Sequence, residues 1–392
     1  NPMLQFSKKQ QAALERWRAL APISVTTTAR PAPGSENLVI PAEALAKAEA
    51  TLPAAGGKWT SPRAGVATAY ELVAKTHPDA MFVIDCDLAP STKVDLALKV
   101  LDANHQFQLS IEEQIATMMA NGLAMSSPDP KLVVFATFAA FFEGIAREGF
   151  EMWRYQRNLT GANEGLNVTF HLSHVGSCTG RDHFSGWSLD WINLAVGYLP
   201  YLDRFYAPAD ARAAFVAICD LASRSGGHIL GIPRDNLPIL TQPDSAAPLW
   251  TADSPWTDVT QLRAAPNAKK AILGFGATAF VAAEAAAKLA AENIAVDAWV
   301  VNGLPLDAGR LEQFFAQYPG GIVTIEDGLI GTPEQGLRGF AGLVRGAAYG
   351  RTIPLQHLGI TDPRVAPSEG HLELWQYFGI DVPSAIAAVK AL

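Results

Sequence analysis

Two groups of residues in this sequence could do chemistry. The first is Glu113, in Ser110-Ile111-Glu112-Glu113-Gln114, followed 25 positions later by the aromatic cluster Phe138-Ala139-Ala140-Phe141-Phe142. A positioned glutamate can hold or move a proton. Alone it would read as a helix cap or dipole partner, and Phe138 and Phe141, at i and i+3, would read as core. The second is a set of scattered polar residues, among them Arg63, Ser91, His174 and Arg234, each of which alone reads as a surface salt bridge or a satisfied core histidine. The three cysteines, Cys86, Cys178 and Cys219, form no CxxC pair. Neither a structural zinc site nor a disulfide framework is expected from that spacing, and no metal ligand is assigned.

The elements that must position these residues alternate between helix and strand. Apolar strands are expected over residues 80–85, 131–136 and 166–172, with helices over 64–75, 111–125, 138–153 and 211–223. This pattern implies a parallel sheet covered on both faces. Prolines 243, 248, 255 and 266 mark a linker over 241–268. A second α/β unit follows, with strands expected at 270–276, 295–301 and 321–326 and helices at 278–292 and 306–317, the latter started by Pro305. Residues 7–20 read as an amphipathic helix or arm.

Bulk properties bound the function. A chain of 392 residues with 49% hydrophobic and 17% charged residues is an ordinary globular protein of two or three domains. A net charge of −8 argues against a general nucleic-acid binder. No apolar run is long enough for a membrane span, and Asn1 to Arg18 has no apolar leader core. A reducing cytoplasm is the expected compartment.

Several segments, in order, resemble the transketolase family of thiamine diphosphate enzymes. Ser110–Gln114 is similar to its G-I-A-E-Q motif, and Asn121-Gly122-Leu123-Ala124 to its A-x-G-L-A segment. Asp85-Cys86-Asp87-Leu88-Ala89-Pro90-Ser91 resembles S-A-D-L-x-x-S. Ser173-His174 followed by Gly180-Arg181-Asp182 resembles T-H-D-S-x-G-x-G-E-D. Pro208-Ala209-Asp210 resembles the P-A-D turn, and Ile232-Pro233-Arg234-Asp235-Asn236-Leu237-Pro238 resembles S-R-Q-N-L-P. The resemblance implies that Glu113 activates the cofactor, that Phe138 and Phe141 sandwich its pyrimidine, and that Asp87 lies in the cofactor site. It implies that Arg63, Ser91, His174 and Arg234 bind an anionic group of the substrate. His174 and Asp182, with His183, would orient donor hydroxyls. The sequence departs from the family at Gly144, where a third aromatic is common, and in Arg181-Asp182-His183-Phe184-Ser185-Gly186-Trp187, where Gly186 replaces a substrate histidine.

The resemblance implies an α/β fold of two doubly wound domains, a pyrimidine-binding thiamine diphosphate fold and then a transketolase C-terminal-like domain. The expected boundaries are an arm at 1–24, the pyrimidine-binding domain at 25–240, the linker at 241–268 and the C-terminal domain at 269–392. The family's diphosphate-binding domain carries G-D-G and a later Asn that hold Mg²⁺ and phosphate. No G-D-G occurs here; the nearest segment is Glu326-Asp327-Gly328, and the last Asn is Asn302. The expectation is therefore a split enzyme, an α2β2 assembly whose partner subunit holds the diphosphate and Mg²⁺. It would transfer a two-carbon ketol or related acyl unit to an aldehyde acceptor. The alternatives are a 2-oxo-acid dehydrogenase β subunit, a 1-deoxyxylulose-phosphate-synthase-like carboligase, or a non-enzymatic scaffold. Gly274-Phe275-Gly276 matches a dinucleotide-binding turn, but the strand that should end in an acidic residue ends at Val301-Asn302, so a cofactor-free turn is expected.

Overall fold

The computed structural model describes residues 7–19, 32–159, 166–179, 188–364 and 366–392. The chain divides into two compact units, 1–30 and 31–392. In the first, the helix Lys8–Arg18 opens with a reciprocal pair: the Ser7 amide donates to Gln10 Oε1 at 2.9 Å, and the Gln10 amide to Ser7 Oγ at 3.3 Å. The expected boundary at 24/25 falls outside the described residues.

The second unit contains two sheets. The first uses β1 (Met81–Asp85), β2 (Gln106–Gln108), β3 (Leu132–Phe138), β4 (Val168–Ser173), β5 (Arg204–Tyr206) and β6 (His228–Ile232). The second uses β7 (Val259–Arg263), β8 (Lys270–Phe275), β9 (Asp297–Val301), β11 (Gly321–Leu329) and β12 (Leu355–Ile360); between them in sequence, β10 (Gly303–Leu304) leaves the second sheet to join the first. The strand orders are β10-β5-β6-β4-β3-β1-β2 and β12-β11-β8-β9-β7. All pairings are parallel except β10 with β5 and β7 with β9.

Burial explains the strands. β3 reads Leu-Val-Val-Phe-Ala-Thr-Phe and is buried at every position, as a strand covered on both faces must be. Alternate residues feed opposite cores. Val134 and Ala136 join the cluster containing the helices Arg63–Thr76 and Ala211–Ser223, whereas Val133 and Phe135 join the one containing Ala116, Phe150 and Trp191. Gly65 sets the first helix pair, since a Cβ there would sit 1.7 Å from the Ala211 carbonyl oxygen. Asp210 caps the second helix, accepting from the Arg212 and Ala213 amides at 2.9 and 2.8 Å.

Three expectations are corrected. The expected linker contains β7. The helix expected from 138 to 153 is interrupted by a π-turn, Phe142–Ala146, before the helix Arg147–Leu159. The helix expected from residue 306 starts at Arg310, because Gly303 and Leu304 are still paired with β5 and the Asp307 amide is bound by Asp258 at 2.9 Å.

Candidate active site

The candidate residues collect at the carboxyl ends of β1, β3, β4 and β6, where open parallel sheets bind ligands. Glu113 is the first residue of the helix Glu113–Ser126 and is 1% exposed. Its Oε1 accepts from Thr137 Oγ1 at 3.4 Å, one residue before the end of β3. Its Oε2 is buried without a hydrogen-bond partner. Leaving such an oxygen unpaired costs about 1–3 kcal/mol, and native proteins rarely tolerate it without a reason.

Next to Thr137, the Phe138 ring packs against Phe141 (centroids 5.6 Å apart) and against the His174 imidazole (3.9 Å). Phe138 is buried and Phe141 only partly so. Phe141 is therefore the ring with surface left to offer a ligand, while Phe138 backs His174. His174 follows β4 in a left-handed conformation, φ 63°, with its amide held by the Ile232 carbonyl at 2.7 Å. A non-glycine residue at such a φ is uncommon and is sustained by its surroundings.

Arg63 lies beside His174, and Arg234 lies within electrostatic reach of Arg63. Arg63 Nη1 donates to the Ser91 carbonyl at 3.0 Å and lies 3.5 Å from His174 Nε2. A guanidinium can only donate, so a hydrogen bond at this contact needs Nε2 as the acceptor. Ser61 Oγ links the two arginines, accepting from Arg63 Nε at 3.1 Å and donating to the Arg234 carbonyl at 2.6 Å. Burial, and then the nearby Arg234 charge, lower the Arg63 pKa. Two half-buried like charges held this close form a ready anion site.

The remaining expected residues are less engaged. Ser91 touches Arg63 through its carbonyl. Asp87 is exposed at φ 61°. Its neighbour Asp85 is buried, accepts from the Leu88 amide at 3.1 Å and is pushed up to about 6 by burial. Asp182 and His183 lie outside the described residues. A cleft of about 580 Å³ lined by Trp59, Leu240, Arg263, Phe280 and Glu284 contains none of the candidate residues.

Two carboxylates of β11 have structural duties that the sequence did not reveal. Asp327 accepts from the Ser177 amide and hydroxyl and from the Cys178 amide, fixing the loop that follows His174. Glu326 accepts from the Phe340 and Ala341 amides at 3.0 and 2.7 Å, capping the helix Gly339–Ala347, and burial pushes it up to about 8. The segment nearest to G-D-G thus spends both carboxylates on backbone amides. The Gly274-x-Gly276 turn is also closed. A Cβ on Gly276 would sit 3.1 Å from the Ala207 carbonyl, and the adjoining cavity is about 10 Å³, room for a water at most.

Comparison with known proteins shows the same fold. Residues 60–239 match the family model of the transketolase pyrimidine binding domain. No curated protein matches the chain. Among solved structures, a split-gene transketolase described as an inactive β4 tetramer is 23% identical, with 85% of this chain and 98% of that chain covered, at a TM-score of 0.66. The transketolase from Leishmania mexicana is 19% identical (88% and 47% covered, TM-score 0.66), and that from Campylobacter jejuni subsp. jejuni 16% identical (86% and 47%, TM-score 0.65). The chain therefore spans about half the length of those two enzymes and shares their fold over that half. Among the described residues, no helix is long and apolar enough to cross a membrane.

Proposed function

Because residues 60–239 belong to the transketolase pyrimidine-binding domain family, we propose that this chain is one subunit of a two-component, thiamine diphosphate-dependent transketolase-like enzyme. It transfers a two-carbon ketol unit to an aldehyde acceptor, in the cytoplasm, as half of an α2β2 assembly. The observation that carries this reading is the bare, buried Oε2 of Glu113 beside the end of β3.

The residues present fit the pyrimidine end of the cofactor. Glu113 has an oxygen to spare for a ring nitrogen, and Phe141 has ring surface to spare. They do not fit the metal end, since Asp327 and Glu326 are already saturated by backbone amides. Mg²⁺ and the diphosphate are assigned to a separate partner subunit. That the split-gene relative is described as inactive in its β4 form supports the need for such a partner.

When bound, thiamine diphosphate supplies the electron sink for carbon–carbon bond cleavage and formation. The chain's residues supply proton control and positioning. Glu113 holds a proton at the pyrimidine ring nitrogen. Arg63 and Arg234 fix an anionic group of the substrate, and His174, held against Phe138, hydrogen-bonds a substrate hydroxyl. Asp182 and His183 are assigned to the donor hydroxyls, and Asp87 and Ser91 to the rims of the cofactor and anion sites.

The test is calorimetric titration of thiamine diphosphate with Mg²⁺ into the chain alone and into its mixture with the candidate diphosphate-binding subunit. Tight binding only in the mixture is expected. Tight binding to the chain alone would overturn the split-enzyme reading.

A further inference from the structure

Cys178, Asp235 and His371 are far apart in sequence, and each belongs to a different element. Cys178 follows β4, Asp235 follows β6, and His371 opens the helix His371–Phe378. The fold brings a sulfur, a carboxylate oxygen and a ring nitrogen of the three within 4.8 Å of one another. We propose that these three residues form a site for a borderline divalent transition metal such as Zn²⁺, separate from the Mg²⁺ assigned to the cofactor.

The donor set defines the ion. A thiolate with an imidazole and a carboxylate suits Zn²⁺ or Co²⁺, whereas Mg²⁺ and Ca²⁺ require oxygen donors. Ligand atoms around a tetrahedral zinc lie about 3.3–3.8 Å apart, given bonds of roughly 2.0–2.3 Å. His371 Nδ1 and Asp235 Oδ2 are 3.1 Å apart and all three ligand atoms lie within 4.8 Å of one another, so closing them around an ion takes side-chain movements of up to about 1 Å, by the same bond lengths. A fourth position remains for water or an oxyanion.

The site is built rather than incidental. His371 is 8% exposed, and its ring is held with Nδ1 toward Asp235 Oδ2. Cys178 is fully buried, with its amide held by Asp327 at 3.1 Å and its carbonyl by the Arg234 amide at 2.7 Å. The second of these bonds also fixes the residue preceding Asp235. The His371 amide donates to Asp235 at 3.3 Å, and Trp375, one turn on, packs edge-on against the imidazole at 5.1 Å. Such outer partners hold metal ligands in place.

Charge permits the ion. Arg63 lies within electrostatic reach of Cys178 and Asp235 and of a second guanidinium, Arg234, and both arginines oppose a cation. Against them stand the Asp235 carboxylate, the nearby Asp327 carboxylate and the thiolate that forms as the Cys178 proton leaves to the buffer. The metal would pin the helix His371–Phe378 to the two loops that carry His174 and Arg234.

The experiment is titration of the dialysed 392-residue chain with Co²⁺, followed by absorbance, and with Zn²⁺, followed by thermal melting. One Co²⁺ per chain with a thiolate-to-cobalt charge-transfer band is expected, and Zn²⁺ should raise the melting temperature. Cys178→Ser should abolish the band, and His371→Gln should weaken binding at least about 10-fold. The Cys86→Ser/Cys219→Ser double variant should keep the band. No band in the wild-type chain, or one that survives Cys178→Ser, would overturn the proposal. If Cys178→Ser does not fold, unchanged affinity in a folded His371→Gln variant would overturn it equally.

Discussion

Asp327 and Ser177 are joined by three hydrogen bonds: the Ser177 amide reaches both carboxylate oxygens at 3.0 Å, and its hydroxyl reaches Oδ1 at 2.7 Å. With the Cys178 amide also bound, the carboxylate is the anchor of the loop that follows His174. Asp327→Ala strands buried donors, each costing about 1–3 kcal/mol. We expect a loss of about 3 kcal/mol or more in urea denaturation. Asp327→Asn should cost nearly as much, because its amide group turns donors toward donors. A variant as stable as wild type would show that the anchor contributes nothing.

Glu113→Gln keeps the size of the side chain and removes its acid–base function. In the reconstituted two-subunit enzyme, kcat should fall by about 10²–10⁴-fold while the melting temperature changes little. Unaltered turnover would remove Glu113 from the mechanism.

Arg63→Ala and Arg234→Ala should each raise KM for an anionic acceptor. One charge-assisted hydrogen bond is worth about 1.5–3 kcal/mol, so a rise of about 10–150-fold is expected for each. Neutral acceptors should be much less affected. Equal losses for charged and neutral acceptors would point to a structural role instead.

Gly65→Ala and Gly122→Ala should move stability in opposite directions. At Gly65 the added Cβ meets the Ala211 backbone, which cannot yield without separating two helices; a loss of about 3 kcal/mol is expected for such overpacking. At Gly122, inside the helix Glu113–Ser126, nothing lies within 4 Å of the new atom. There alanine should add about 0.5–1 kcal/mol through helix propensity. Calorimetric melting of both variants decides the matter.

Glu143 gives a pH-dependent test. It accepts a hydrogen bond from Ser188, and burial pushes its pKa up to about 7 from an ordinary 4.5. The folded state then holds the proton more tightly than the unfolded state, so stability declines as pH rises between those two values and the full penalty is present above about 7. Glu143→Gln removes the penalty. It should melt higher than wild type at pH 8, by an amount reflecting about 1–3 kcal/mol, and close to wild type at pH 5. Parallel pH profiles for the two proteins would sink the idea.

The long buried strands were legible in the sequence because their residues are apolar on both faces; β3 extends only two residues beyond its expected end. Short strands such as β2, β5 and β10 were not, since two or three residues carry no periodicity and pair only because neighbours are in place. Of the candidate site, Glu113, Phe138, Phe141, Arg63, His174 and Arg234 are proposed from motif order, and each lies near the carboxyl end of a strand of the first sheet. That Phe138 packs against His174, leaving Phe141 the more exposed ring, depends on side-chain packing across two strand ends and could not be read in advance. The Asp327 anchor joins residues 150 positions apart and the Asp235–His371 contact residues 136 apart, so no local spacing announces them.

The two-residue strand β10 bears on how such a chain could be inherited. It leaves the second sheet to complete the edge of the first, and Asp327 reaches back in the same direction. A gene break within 241–268 would strip β5 of its outer neighbour β10 and empty the Asp327 nest on the other fragment. Recombination could therefore exchange the two sheets only together, as one cassette.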